Sequence, residues 1–414
     1  MSLTRCLLLS SCLILSACAE GKKEDPPVSD VTITASHFMY GLGGDQLITD
    51  YPIPMSVVGT DAGFLSTTED STYTIKRTGT QASSSVGYHL EEDGSFYLVV
   101  PTSGAPTRYL GAYQQTGAGD LTQAFFFTDR YAPTSRPVVG FFWGTRSTTG
   151  HDMSDARDDW HVFSHHVIFS SSSSPNPNNI GRSFYGSLTI AEDAGKDDVI
   201  TGTGFESSSP NAVTLSGTAR ALDTIGEIDF SLLYNADSRG IGASQAKDLI
   251  LGLDRDETDG EIGLFGLVRK FEFGEPGDPD IELDKAKTAL SGRWHIGLHT
   301  TFVAPTAAGI DAANGTLTIS KTGGFKIEIV GSQGPGAGED TYTGTWAFDE
   351  ISPGKVWSNS ITLSVDGTNE TWHAAVDREY GALVLVDMTV EARPSGPSQL
   401  NIGLAIKEPV VSGS

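Results

Sequence analysis

The sequence predicts an all-β protein built from three tandem repeats of antiparallel β modules, each a barrel or a sandwich. A single six-bladed propeller is the alternative closure. Three observations predict this class. Short runs rich in Val, Ile, Thr, Phe and Tyr, such as "GSFYLVVP", "GEIDFSLLYN" and "GALVLVDMTV", alternate with clusters of Gly, Asn, Asp and Ser, the pattern of strands spaced every ~8–12 residues. Glycine supplies 48 of 414 residues, above the usual ~7 % and suited to many tight turns. Several frames also recur in order. "WHVFSH" at 160 matches "WHIGLH" at 294, "GSLTI" at 186 matches "GTLTI" at 315, "LSGTA" at 215 matches "YTGTW" at 342, and "GLDRD" at 252 matches "AVDRE" at 375. A long, ordered period of this kind is the signature of repeated structural units.

The N-terminus comes first in order. Arg5 opens the apolar run "CLLLSSCLILSAC", which is too short for a stable membrane span. It ends in Leu15-Ser16-Ala17-Cys18, and this ending resembles the lipobox of bacterial lipoproteins. The resemblance implies removal of residues 1–17 and diacylation of Cys18. Two acyl chains give stable anchoring, each buried methylene contributing about 0.8 kcal/mol. Ala19 rather than Asp after the cysteine implies delivery to the outer membrane. Residues 18–30, the lipidated Cys and "AEGKKEDPPVSD", read as a flexible tether. Repeat one is expected over 31–150, repeat two over 151–275, a linker over 276–290, repeat three over 291–408 and a tail over 409–414. Within the linker, "IELDKAKTAL" (281–290) is the one helical piece, while "SSSSSPNPNN" (170–179) is a long loop inside repeat two.

Composition narrows the function. The cysteines are Cys6, Cys12 and Cys18, so the mature chain has no disulfide, thiolate metal site or Cys nucleophile. Removing 1–17 deletes Arg5 and no acid, moving the formal charge from −25 to −26. Such a chain is repelled by nucleic acid and anionic headgroups.

The two Trp-His frames raise a metal question. On a strand, residues four apart lie about 13 Å from one another, too far for two imidazoles on one ion. His-x-x-x-His pairs ligands only on a helix, and Gly297 with its β-forming neighbours argues for strand. Trp294, Ile296, Leu298, Thr300 and Phe302 then share one face, and His295, Gly297, His299 and Thr301 the other. The histidines read as architecture. In repeat two, Phe163, Val167 and Phe169 fall beside His161 and His165, as in a strand buried on both faces.

"LSGRWHIG" (290–297), with "NGTLTIS" and "TYTGTW" after it, resembles the opening strands of calycin-type barrels, the lipocalins and avidins. The resemblance implies that Trp294, Trp346 and Trp372 line a barrel interior, as ligand contacts or as core. Repeat two departs from it with "DDW", and repeat one has no Trp there.

For a cation, "LDRDETDGEIG" (253–263) gathers Asp254, Asp256 and Asp259 before Gly260. Ca²⁺ takes six to eight oxygens from such loops. The spacing slips one residue from the EF-hand pattern, however, and Asp-Gly equally marks a hairpin turn. No other cofactor is expected. There is no Gly-x-Ser-x-Gly elbow, phosphate loop or dinucleotide fingerprint. The expectation is a non-enzymatic, outer-membrane-anchored lipoprotein that binds or assembles with a cell-envelope protein or glycan. A glycan-acting hydrolase and a small-molecule carrier are the alternatives.

Overall fold

The structure, a computed structural model, describes residues 36–409 except 46–60, 69–71, 78–82, 92, 101–106, 117–119, 130–137, 147–151, 169–180, 208–210, 222–227, 233–238, 244–247, 257–260, 275–277, 305–306, 332–338 and 389–398. Cys18, the tether and the loop 170–179 lie outside these residues.

The described strands form three eight-stranded, up-and-down antiparallel rings. Module one runs from β1 (Ser36–Asp45) to β8 (Val138–Arg146), and module two from β9 (Asp158–Ile168) to β16 (Glu261–Arg269). Module three runs from β18 (Gly292–Ala304) to β25 (Gln399–Lys407). Its ring closes where the second half of β22 (Val356–Val365) pairs with β23 (Thr371–Val376). The first half of β22 instead takes the two-residue β17 (Glu272–Phe273) on that edge.

The propeller is therefore corrected. Each module's first strand hydrogen-bonds to its own eighth strand, so every ring closes locally. The register of closure is the same three times: His37 opposes Arg146, Trp160 opposes Arg269 and Trp294 opposes Lys407. Local closure removes free edges from each sheet.

The segment 276–290 is more than a linker. It carries helix α1 (Pro279–Leu290), which starts two residues before the helical piece expected at 281–290. Asp278 caps it, its side chain accepting from the Asp280 N–H at 3.1 Å, and Pro279 at the first helical position suits a start. Ala286 and Leu290 are buried against Trp294 in the interior of module three, so the helix plugs that barrel's lower end.

One device repeats at this end of modules two and three. The Trp160 indole donates to the carbonyl of Ala156 at 2.8 Å, and that of Trp294 to the carbonyl of Leu290 at 3.2 Å, each four residues back. A cation from the last residue of the last strand covers each ring, Arg269 at 4.6 Å and Lys407 at 5.5 Å. Both cations also bond a backbone carbonyl, of Asp155 and Ala289 respectively. Repeat one shares the register but has His37 in place of the Trp. Replacing Lys407 with Ala should cost about 1 kcal/mol, read as a lower urea midpoint with no change of slope.

The modules are not beads on a string. Phe163 and Val167 of β9, Phe126, Phe141 and Trp143 of module one, and Val384, Ile402, Leu404 and Ile406 of module three belong to one buried cluster formed by their outer walls. This explains the poor alternation of β9, whose other face, Trp160 and Val162, lies in the core of module two. Glycines on the outer walls allow the approach. A Cβ on Gly297 would stand 2.3 Å from the Phe126 ring of module one. A Cβ on Gly266 of module two would stand 2.9 Å from Val384 of module three. Gly297→Val is expected to destabilise the whole protein by about 1–3 kcal/mol, seen as a lower thermal midpoint, because the added side chain collides with a neighbouring barrel rather than with its own.

Candidate functional site

Two kinds of buried polar group stand out. The first lies inside module three. Trp294, Trp346 and Trp372 sit in one apolar cluster with Ile296, Leu298 and Phe348. All three indole N–H groups have protein acceptors: the Leu290 carbonyl, the Ser320 carbonyl at 2.9 Å and Glu370 Oε1 at 2.7 Å. At the end away from α1, level with Trp372, the lining turns polar. Thr300 donates to Asn401 Oδ1 at 2.6 Å, and Asn401 Nδ2 donates to Asp387 at 3.2 Å. Gln399 donates to the Tyr342 hydroxyl at 2.7 Å, and the Tyr342 ring lies 5.8 Å from that of Trp372. β18 explains the gradient, since its inward residues run Trp294, Ile296, Leu298 and then Thr300.

The second group is the seam between modules, and the two Trp-His frames build it. On the outer face of β18, His295 reaches the carbonyl of Asp93 in module one at 3.0 Å, while His299 and Thr301 face module two. On β9, His165 bonds Ser183 through Nδ1 at 3.1 Å and Thr301 through Nε2 at 2.7 Å. Its ring stands 5.4 Å from that of His299. The second histidines of the two frames thus meet across the interface, and both are buried. Neither ring nitrogen of His299 has a hydrogen-bond partner among the described residues. Burial holds its pKa down to about 3 and places His165 well below the ordinary value, with His299 and His166 adding repulsion at His165.

His161 marks the other end of the seam. Its Nε2 lies 3.2 Å from Asn359 Oδ1 and 3.0 Å from Ser358 Oγ. The Asn359 amide is oriented by its own donations, to the carbonyls of Arg269 at 3.0 Å and Val376 at 2.8 Å. Its oxygen therefore faces His161, which must carry its proton on Nε2. Asn359 Oδ1 also accepts from the Phe271 N–H at 3.1 Å, so this one side chain ties the end of module two to module three. Burial, then Lys270, lowers the His161 pKa to about 4. Nearby, Tyr185 of module two stacks on His373 of module three at 4.2 Å.

Two of the sequence-derived cation candidates lie on one strand of module two. Asp254 and Asp256 alternate along β15 (Leu249–Asp256), with Asp256 opposite Glu261. Asp259 lies outside the described residues. Among the described residues no group of three or more His, Cys, Asp or Glu could hold a metal ion. Asn359 and the module-three polar layer escaped the sequence reading. The signal for the former was "SNS" (358–360), a polar run inside the otherwise apolar strand "VWSNSITLSV".

No family model matches the chain, and no curated protein does. Among solved structures, a variant of transferrin binding protein B from Haemophilus parasuis is 7% identical, covering 91% of this chain and 76% of that one, with a TM-score of 0.29. Transferrin binding protein B from serogroup B Neisseria meningitidis is 8% identical, covering 92% and 77%, with a TM-score of 0.27. At these values the likeness bears on neither partner nor activity.

Proposed function

We propose that the chain is an outer-membrane-anchored lipoprotein, held by acylated Cys18, whose body binds or assembles with another cell-envelope protein or a glycan without performing chemistry. The observation that carries this reading is the shared core and polar seam. They lock three barrels into one body, and a body of fixed shape is what a recognition surface needs. The polar pairs that resemble catalytic machinery argue the same way. Ser358 and His161 are in contact, but among the described residues no carboxylate orients His161 Nδ1, and a base with a pKa near 4 is poorly matched to neutral pH. A Ca²⁺ ion at Asp254, Asp256 and Asp259 would serve only to stiffen that hairpin. A second reading, a small-molecule carrier, is favoured by the polar groups beside Trp372 in module three, where amide, hydroxyl and carboxyl groups converge.

The anchor is tested by metabolic labelling with an alkyne fatty acid. The wild type should be labelled and sediment with membranes, and Cys18→Ser should be unlabelled and soluble. The binding role is tested by crosslinking mass spectrometry on the intact lipidated protein in its own cells. A stoichiometric partner linked to one patch of outer surface is the expected result. Links to no partner, together with a small molecule retained through purification, would replace the leading reading with the carrier.

A further inference from the structure

All three modules contribute to one enclosed polar point. Gln114 comes from β6 (Thr107–Thr116) of module one and Asp248 from the residue before β15 of module two. Asp377 comes from the turn between β23 and β24 (Ala382–Asp387) of module three. Gln114 is 2% exposed, Asp377 3% and Asp248 7%. Asp377 Oδ1 accepts from the backbone N–H groups of Gly381 at 2.7 Å and Ala382 at 3.0 Å, and its Oδ2 accepts from Gln114 Nε2 at 2.9 Å. Asp248 Oδ2 accepts from the N–H of Arg378, the residue after Asp377, at 3.3 Å. Two acceptors remain enclosed with no donor among the described residues: Asp248 Oδ1 and Gln114 Oε1.

The point therefore holds two desolvated carboxylates and is short of hydrogen-bond donors. A buried acceptor left unmet is costly, and an uncompensated buried charge more so. One proton lowers the charge and supplies a donor together. We propose that the three-module junction is a proton-operated latch, in which Asp377 takes up a proton from solvent, keeps it, and donates the resulting O–H as a hydrogen bond to Gln114, holding the modules together. The step needs only that the Gln114 amide turn over. Its oxygen, unmet before the turn, then accepts from the Asp377 hydroxyl.

The charged groups around the point leave this role to a proton. Asp248 raises Asp377 by repulsion, and Glu379 in the same turn raises Asp248. Arg269 attracts Asp248 from the end of β16, yet its guanidinium covers Trp160 and pairs with Asp158. Lys407 feels Asp377 from the end of β25, yet its ammonium lies over Trp294. The Arg378 side chain lies over Phe271 at 5.6 Å, and the Tyr380 hydroxyl is itself pushed up to about 12 by burial and by Asp377. Burial first, and then Asp248, hold the Asp377 carboxyl up to about 7 against an ordinary 3.8.

The sign follows from that order. Above the folded value both states are deprotonated and the buried charge is at its most costly. As pH falls from about 7 towards 3.8, the docked state binds a proton that the unfolded chain does not, so stability rises. The histidine seam has the opposite sign over part of this interval, so the readout is a difference between proteins that share the seam.

The test is urea denaturation of the purified full-length wild type, Asp377→Asn and Asp248→Asn from roughly pH 8 to pH 5. Asp377→Asn carries a permanent donor and should be the more stable protein at pH 8. Its advantage should shrink by up to about tenfold in the folding constant for each step of one in pH below 7. In Asp248→Asn the rise should begin at lower pH, because the repelling charge is gone. If Asp377→Asn does not fold, Asp248→Asn and the infrared band of a buried protonated carboxyl at pH 6 decide. A pH-independent gap between wild type and Asp377→Asn, or no such band in the wild type, overturns the latch.

Discussion

Acidifying the protein from pH 6.5 towards 3 is expected to separate module two from module three before either barrel unfolds. His161, His165, His299 and His373 all lie on this seam, and burial depresses each of them in the folded state. The unfolded or undocked imidazoles titrate near 6.5, whereas those of His161 and His299 stay neutral to about 4 and about 3. A folded pKa below the free value means that the stabilisation is complete above 6.5 and is lost as pH falls towards the folded values. Every tenfold loss of proton affinity on docking corresponds to ~1.4 kcal/mol per group, so several such groups together rival the ~5–15 kcal/mol that holds a typical domain. The Asp377 latch gains stability over part of the same interval, but it is one group against several. The measurement is tryptophan emission and near-ultraviolet circular dichroism against pH, with far-ultraviolet circular dichroism alongside. Tertiary signals should change first, while strand content persists.

The second large effect is expected at Asn359. Asn359→Leu keeps the side-chain volume but removes an amide that serves four partners: the carbonyls of Arg269 and Val376, the N–H of Phe271 and the His161 ring. Each buried group left unmet costs ~1–3 kcal/mol, and a net loss of ~3 kcal/mol or more is expected after relaxation. Because Asn359 spans two modules, the loss should also sharpen the acid transition and move it to higher pH. Asn359→Asp is the informative partner. Its carboxylate accepts from His161 and Phe271 yet faces two carbonyls with no hydrogen to offer, so it should be as damaging as Leu. A seam that tolerates either change would show that Asn359 is incidental.

The strands and their grouping into three units were legible because antiparallel barrels advertise themselves locally, through alternation, turn residues and a kept order of frames. The inward face of β18 could be read off residue by residue, and the double burial of β9 was visible in its failure to alternate. Docking was not legible. That His165 meets His299, or that Gly297 leaves space for Phe126, depends on how three closed barrels rotate against one another, and no local periodicity encodes that rotation. The same frames that announced the repeat hid the seam, since a histidine on the outer face of a barrel strand looks solvated until another barrel covers it. "AVDRE" at 375 was visible as the counterpart of "GLDRD", but nothing near it in sequence announces Gln114 or Asp248, which come from other modules. The helix begins earlier than the piece expected at 281–290 because Asp278 and Pro279 start it by capping rather than by burial.

All of these expectations rest on the three barrels forming one docked body. Small-angle X-ray scattering on the chain from residue 31 tests that most directly. At pH 7.5 a docked body of this length should have a radius of gyration of about 21 Å, with a compact, bell-shaped Kratky profile that broadens on acidification. A substantially larger radius at pH 7.5, with the profile of three beads on flexible links, would contradict it.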